Sequence, residues 1–131
     1  MNVIQIETTD GVTSFQPGDT VEGKAFWRLD DPPPTSVELR LFWYTEGKGD
    51  QDVGIVETIP YSGPVAEDRR SFQLRLPEGP YSFSGKLISL LWAIEVVAQP
   101  GDRVGRCEIT VSPTGSELRL HPMENRHPSP G

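Results

Sequence analysis

Two histidines, one cysteine and a scatter of acidic side chains are the groups in this chain able to do more than carry charge. Nucleophilic catalysis of the Ser-His-Asp kind needs an imidazole held rigidly beside the nucleophile. His121 and His127 each precede a proline in the polar, proline-broken stretch that follows Pro113, so neither has a fixed position. Cys107 alternates with Arg106 and Glu108 in a strand-like run, the setting of a small buried thiol, and has no fixed histidine to activate it. Two tail histidines and one distant cysteine do not make a zinc ligand set. Asp30-Asp31, Asp50, Asp52, Glu67-Asp68 and Asp102 all read as loop residues. Loops gathered at the ends of a sandwich can bring carboxylates together around calcium, or as the acid and base of a glycosidase. Nothing in their spacing selects a set, and the reading is solvated acids, with no catalytic residue, no metal and no cofactor.

The elements that would position such groups are strands. Glycine and proline number 13 each among 131 residues. That is about a fifth of the chain against a usual ~12 %, which rules out a helical bundle or coiled coil. Hydrophobic residues make up 35 % and fall in period-two blocks, so the punctuation marks turns and not disorder. Ile4 and Ile6 alternate in a first short strand, and Val21, Ala25, Trp27 and Leu29 share one parity in a second. Asp30 to Pro34 connects it to a third, in which Val37, Leu39, Leu41 and Trp43 alternate with Glu38, Arg40, Phe42 and Tyr44. A less regular fourth strand runs from Val53 to Ile59, and a fifth carries Phe72, Leu74 and Leu76. The sixth spans about Ser84 to Gln99. Its β-branched content and the flanking Gly85 and Pro100-Gly101 argue for a strand over a helix. Cys107, Ile109 and Val111 define the seventh. Seven strands at short spacing predict an antiparallel immunoglobulin-like β-sandwich over residues 1–112, with 113–131 a flexible tail whose one sticky spot is Leu118-Arg119-Leu120.

Nineteen Asp and Glu against twelve Lys and Arg give a net charge of −7, which argues against nucleic acid as a partner. No stretch approaches the ~20 apolar residues of a membrane span and the N-terminus has no signal-peptide pattern, so no membrane insertion is expected. A lone cysteine cannot form an internal disulfide, which favours a reducing compartment, and a cytoplasmic protein is expected.

Two motifs carry a resemblance. Phe15-Gln16-Pro17-Gly18-Asp19-Thr20-Val21-Glu22-Gly23 is similar to the aromatic, Pro-Gly-acidic, Val, Gly signature opening the second strand of arrestin-fold domains. Pro80-Tyr81-Ser82-Phe83-Ser84-Gly85, followed by the long strand with Trp92, resembles the Pro, Ser-aromatic, Gly segment of arrestins and related trafficking proteins. The resemblance reaches loosely over residues 1–112 and implies a non-catalytic adaptor with an arrestin-like sandwich. Members usually carry two such domains and basic phosphate-sensing residues on early strands. This chain has one domain and no such residues in Met1 to Glu7, so phosphate recognition is not implied.

In an immunoglobulin-like arrangement strands three and six are neighbours. With Leu39, Leu41, Trp43, Leu90, Trp92 and Ile94 in the core, Phe42, Tyr44, Leu87, Leu91, Ala93 and Val97 share the outer face. That much apolar surface points to a partner face, or to a cover supplied by the tail or a loop. The expectation is a protein-interaction module that binds a protein partner or itself, as a homo-oligomer, through this face or an edge strand. A carbohydrate-binding sandwich is the alternative. It is disfavoured because Trp27, Trp43 and Trp92 all take core-phase positions, leaving Tyr44, Tyr61 and Tyr81 for sugar stacking.

Overall fold

Every period-two run becomes a strand in the computed structural model, which describes residues 2–49, 51–85 and 87–114 and the backbone of Leu118–Arg119. The strands are β1 Val3–Thr8, β2 Ser14–Phe15, β3 Thr20–Arg28, β4 Ser36–Gly47 and β5 Val53–Tyr61. They continue as β6 Glu67–Arg75, β7 Phe83–Ser84, β8 Ile88–Gln99, β9 Arg103–Val111 and β10 Leu118–Arg119. The seven long ones answer to the seven read from the sequence, and three two-residue strands join them.

Two sheets result. The smaller has the order β1-β3-β6, antiparallel throughout. In the larger, β8 is central: β4 lies along one side with β5 outside it, and β7 and then β9 lie along the other. The short strands β2 and β10 add in parallel, to β9 and β7 respectively. The architecture is therefore all-β and two-layered, with more strands and parallel additions than a closed seven-strand immunoglobulin sandwich has.

The sequence pattern misled at three places, each for a physical reason. The apolar run expected from Ser84 is broken, because Phe83–Ser84 folds back antiparallel on Ser89 and Leu90, with the Gly85 N–H bonding the Ile88 carbonyl. Strand β6 begins at Glu67, inside what reads as a turn, since its first two core-phase positions are Asp68 and Arg70. Glu67-Asp68 is thus strand and not loop. Third, Leu118–Arg119 pairs with β7 within the expected tail, whose remaining residues from 120 onward, both histidines among them, lie outside the described residues.

The core fills the space between the sheets. Val21, Ala25 and Trp27 of β3 and Phe72 and Leu74 of β6 face Leu39 and Leu41 of β4 and Leu90, Trp92, Ile94 and Val96 of β8. Trp27 and Trp92 are fully buried, and each uses its indole N–H on a connection: Trp27 to the Val65 carbonyl at 2.8 Å, Trp92 to that of Pro80 at 2.9 Å. Both tryptophans thereby tie crossing loops to the core while satisfying a buried donor. The Pro17-Gly18 turn closes with Asp19 N–H on the Gln16 carbonyl and Gly18 at φ 84°, a left-handed conformation that favours glycine. Gly23 shows no bulge; a side chain there would strike the Glu7 carbonyl and the Phe72 ring.

Candidate functional site

Pairing register sets the outer face of the large sheet, because directly opposed residues share a face. One row reads Thr58, Arg40, Glu95, Arg106 across β5, β4, β8 and β9. The next reads Ile55, Phe42, Ala93, Glu108, and beyond it stand Val53, Tyr44 and Leu91. On the other flank Pro60, Glu38, Val97 and Val104 are aligned. Five of the six residues marked by the sequence share this face by register: Phe42 opposes Ala93, Tyr44 opposes Leu91 and Val97 lies two rows away, while Leu87 precedes β8, its carbonyl accepting from the Lys48 main-chain N–H.

They are not equally open. Phe42 is only 6 % exposed, and Ala93 and Val97 are also buried; Tyr44 and Leu91 are half-buried; Leu87 is 64 % exposed. Among the described residues, a prominent part of the cover is an arginine of the same sheet. The Arg106 guanidinium lies 5.2 Å from the ring centres of both Phe42 and Tyr44 and is held by Glu95 at 2.9 Å. The Tyr44 hydroxyl donates to Glu108 at 2.9 Å. Burial, then the Glu108 contact, raises the Tyr44 phenol above its ordinary range, while the hydrogen bond to Glu95 raises Arg106. The phenol therefore stays a donor and the guanidinium a cation at any physiological pH.

This roof is cheap to move. A partly exposed ion pair contributes about 0–1 kcal/mol and an exposed cation–π contact about 0.5–1 kcal/mol. Beside it the face is open among the described residues: Val53 and Ile55 of β5 are 61 % and 59 % exposed, next to Tyr44 and Phe42. Sequence reasoning missed Arg106, Glu95, Val53 and Ile55. Alternation alone puts Val53 and Ile55 in phase with Ile59, opposite core Leu39; the register shift at Leu41/Phe42 turns them outward, and the Glu95–Arg106 pairing likewise needed the register of the β8–β9 hairpin.

A second cluster sits where the two sheets part. Arg70 bonds Asp68 at 3.0 Å and the carbonyls of Ser62 and Gly63, and its guanidinium lies over Trp27 and Tyr61. The Arg70 hydrogen bond, chief among the causes, holds the Asp68 carboxyl below its ordinary range. Burial raises the Cys107 thiol, which packs half-buried against the core. Among the described residues no three His, Cys, Asp or Glu side chains converge to hold a metal ion, and no helix is long and apolar enough to cross a membrane.

Of the three tyrosines, only Tyr81 is exposed. Tyr44 lies under Arg106, and Tyr61 stands against Trp27 with ring centres 5.8 Å apart.

No family model matches this chain, and no curated protein does. Solved structures do. The sporulation control protein Spo0M of Bacillus subtilis superposes with a TM-score of 0.60 and 15 % identity, covering 85 % of this chain and 49 % of that one. This chain thus spans about half the length of Spo0M, and the likeness is one of β-sandwich fold. The alkylpurine DNA glycosylase AlkC of Pseudomonas fluorescens, bound to DNA containing an abasic site analog, aligns at a TM-score of 0.45 with 14 % identity. That match covers 85 % of this chain and 30 % of that one, too distant a superposition to argue from.

Proposed function

We propose that this chain is a non-catalytic protein-interaction domain that binds a partner protein on the outer face of its large sheet, at the end where Val53, Ile55, Tyr44, Leu91 and Leu87 meet. One observation carries the reading: three side chains of high apolar area, Val53, Ile55 and Leu87, stand more than half exposed around a strip that, among the described residues, has the movable Arg106 over its two rings. Arrestin-like adaptor character, suggested by the motifs around Pro17-Gly18 and Pro80, is compatible with it, and so is the sandwich shared with a sporulation control protein.

Charge selects the occupant. Glu95 is already matched by Arg106 and Glu38 by Arg40, which leaves Glu46, Asp52 and Glu108 around the strip with no basic side chain at salt-bridge distance among the described residues, against one lysine, Lys48, whose main-chain N–H bonds the Leu87 carbonyl. A partner presenting apolar side chains flanked by Lys or Arg complements this surface. A second copy of this chain would bring the same acids together.

The test is peptide selection against the intact chain, with the site mapped by amide shifts. Basic–apolar peptides shifting Tyr44, Val53, Ile55 and Leu91, and losing affinity in Ile55→Glu and Leu87→Glu, are the expected result. Light scattering that shows dimers abolished by Leu87→Glu would replace the partner with a second copy. Selected peptides that map elsewhere, or none selected from a monomeric chain, would end the proposal.

A further inference from the structure

We infer that the free edge of β6 between Ser71 and Arg75 is an acceptor for an extended, acidic strand of a partner protein. Main-chain direction comes first. In an antiparallel pair, alternate residues turn both N–H and C=O toward the neighbour and the others turn both away. The Arg69 N–H donates to Asp68 Oδ1 at 2.9 Å, and the Ser71 carbonyl accepts from Tyr61 Oη at 3.3 Å. Leu76, of the other parity, bonds the Asp19 carbonyl on the β3 side. Residues 69, 71, 73 and 75 therefore face away from β3. Gln73 and Arg75, together with the Ser71 N–H, present main-chain groups that find no partner among the described residues. The register to β3 runs unbroken from Glu67 to Arg75, with no bulge, glycine or proline, so this edge is straight.

Charge then names the occupant. In a chain of net charge −7, Arg69 and Arg75 stand exposed on the outer face of this edge with no carboxylate at salt-bridge distance among the described residues. Arg69 rests on the Phe26 ring instead, at 5.6 Å. A strand added to β6 would place every second side chain on this face, beside Arg69 and Arg75, and glutamate or aspartate there completes both arginines. Self-pairing is opposed, since two copies joined edge to edge would gather four of these arginines on one surface.

The β6 edge lies on the smaller sheet, so it is separate from the large-sheet face and its test is independent. The probe is a short capped peptide alternating valine with glutamate, added to the full chain. The expected result is salt-sensitive binding, slowed exchange of the Ser71 and Gln73 amides, and affinity at least about tenfold lower in Arg69→Glu/Arg75→Glu. Gln73→Pro, which removes an outward N–H and no ladder hydrogen bond to β3, should also abolish binding. A peptide alternating valine with lysine that binds equally well, a valine–glutamate peptide that leaves those amides unprotected, or full binding by folded Gln73→Pro would overturn it. If Gln73→Pro fails to fold, amide protection in the wild-type chain and the arginine variant decide alone.

Discussion

The two long sides of this sandwich are finished in opposite ways. On one side β1 and β9 meet, and Ile4 sits where Gly105 has no side chain: a Cβ there would lie 2.5 Å from Ile4 Cγ2 and 2.9 Å from the Ile4 carbonyl. On the other side β5 and β6 end their sheets, each paired with a single strand among the described residues, and Arg70 with Asp68 fills the gap. The closed side is held by backbone proximity, which admits no variation. The open side is held by a polar clamp and leaves two edges free.

Those two edges differ in turn. Strand β5 is blunted three times, by the register shift at Leu41/Phe42, by Pro60 and by Glu57, which opposes Leu41 and so takes a core-phase position. Inward-phase charges, bulges and prolines are the devices by which natural sheets refuse edge-to-edge pairing. On β6 the inward charges Asp68 and Arg70 are confined to its first half, and the second half has no such device. An edge left straight beside one so thoroughly blunted is the difference that gives β6 its assigned role.

Four substitutions break or sharpen this contrast. Gly105→Val should do most damage, because the new side chain meets backbone as well as a methyl group; a loss of about 3 kcal/mol or more in denaturant unfolding is expected. Arg70→Ala opens the other side more gently, by about 2–3 kcal/mol, since it leaves Asp68 without its cation and the Ser62 and Gly63 carbonyls without the guanidinium, and Arg70→Lys should recover only part of this. Were Arg70→Ala to cost more than Gly105→Val, the ranking of the two sides would be reversed.

Asp68→Asn should cost about 1–2 kcal/mol at neutral pH. Its pH dependence has a defined sign. The folded-state carboxyl is held below its ordinary value of 3.8, so its stabilisation is complete above that value and disappears as pH falls through the lowered one. The wild-type chain should therefore lose stability in acid more steeply than Asp68→Asn, and superimposable acid titrations would show the clamp to be without weight. Smallest in stability is Glu57→Val, within about 0.5 kcal/mol. Its readout is association: removing the inward charge should yield concentration-dependent oligomers by light scattering, and a strictly monomeric variant would show that the other two devices suffice.

Much of the fold was legible because a period of two is written directly in side-chain type. Leu39, Leu41, Leu90, Trp92 and Ile94 could be put in the core and Phe42, Tyr44, Leu91 and Ala93 on the opposite face without knowing where any strand lay. The start of β6 was illegible for the converse reason, its core-phase positions holding an aspartate and an arginine that make sense only once Ser62, Gly63, Trp27 and Tyr61 surround them. Of the candidate surface, the sequence indicated the face but not its cover. Arg106 and Phe42 are 64 positions apart, and their contact depends on two successive strand registers, β4 to β8 and β8 to β9.

By itself, then, the sequence determined an all-β chain, its long strands and the phase of side chains along most of them, all consequences of local alternation and turn chemistry. Which strands become edges, which edge is blunted, and which arginine lies over which ring were decided by the tertiary structure alone. Register and sheet order arise from pairing between distant segments, and no local pattern encodes them.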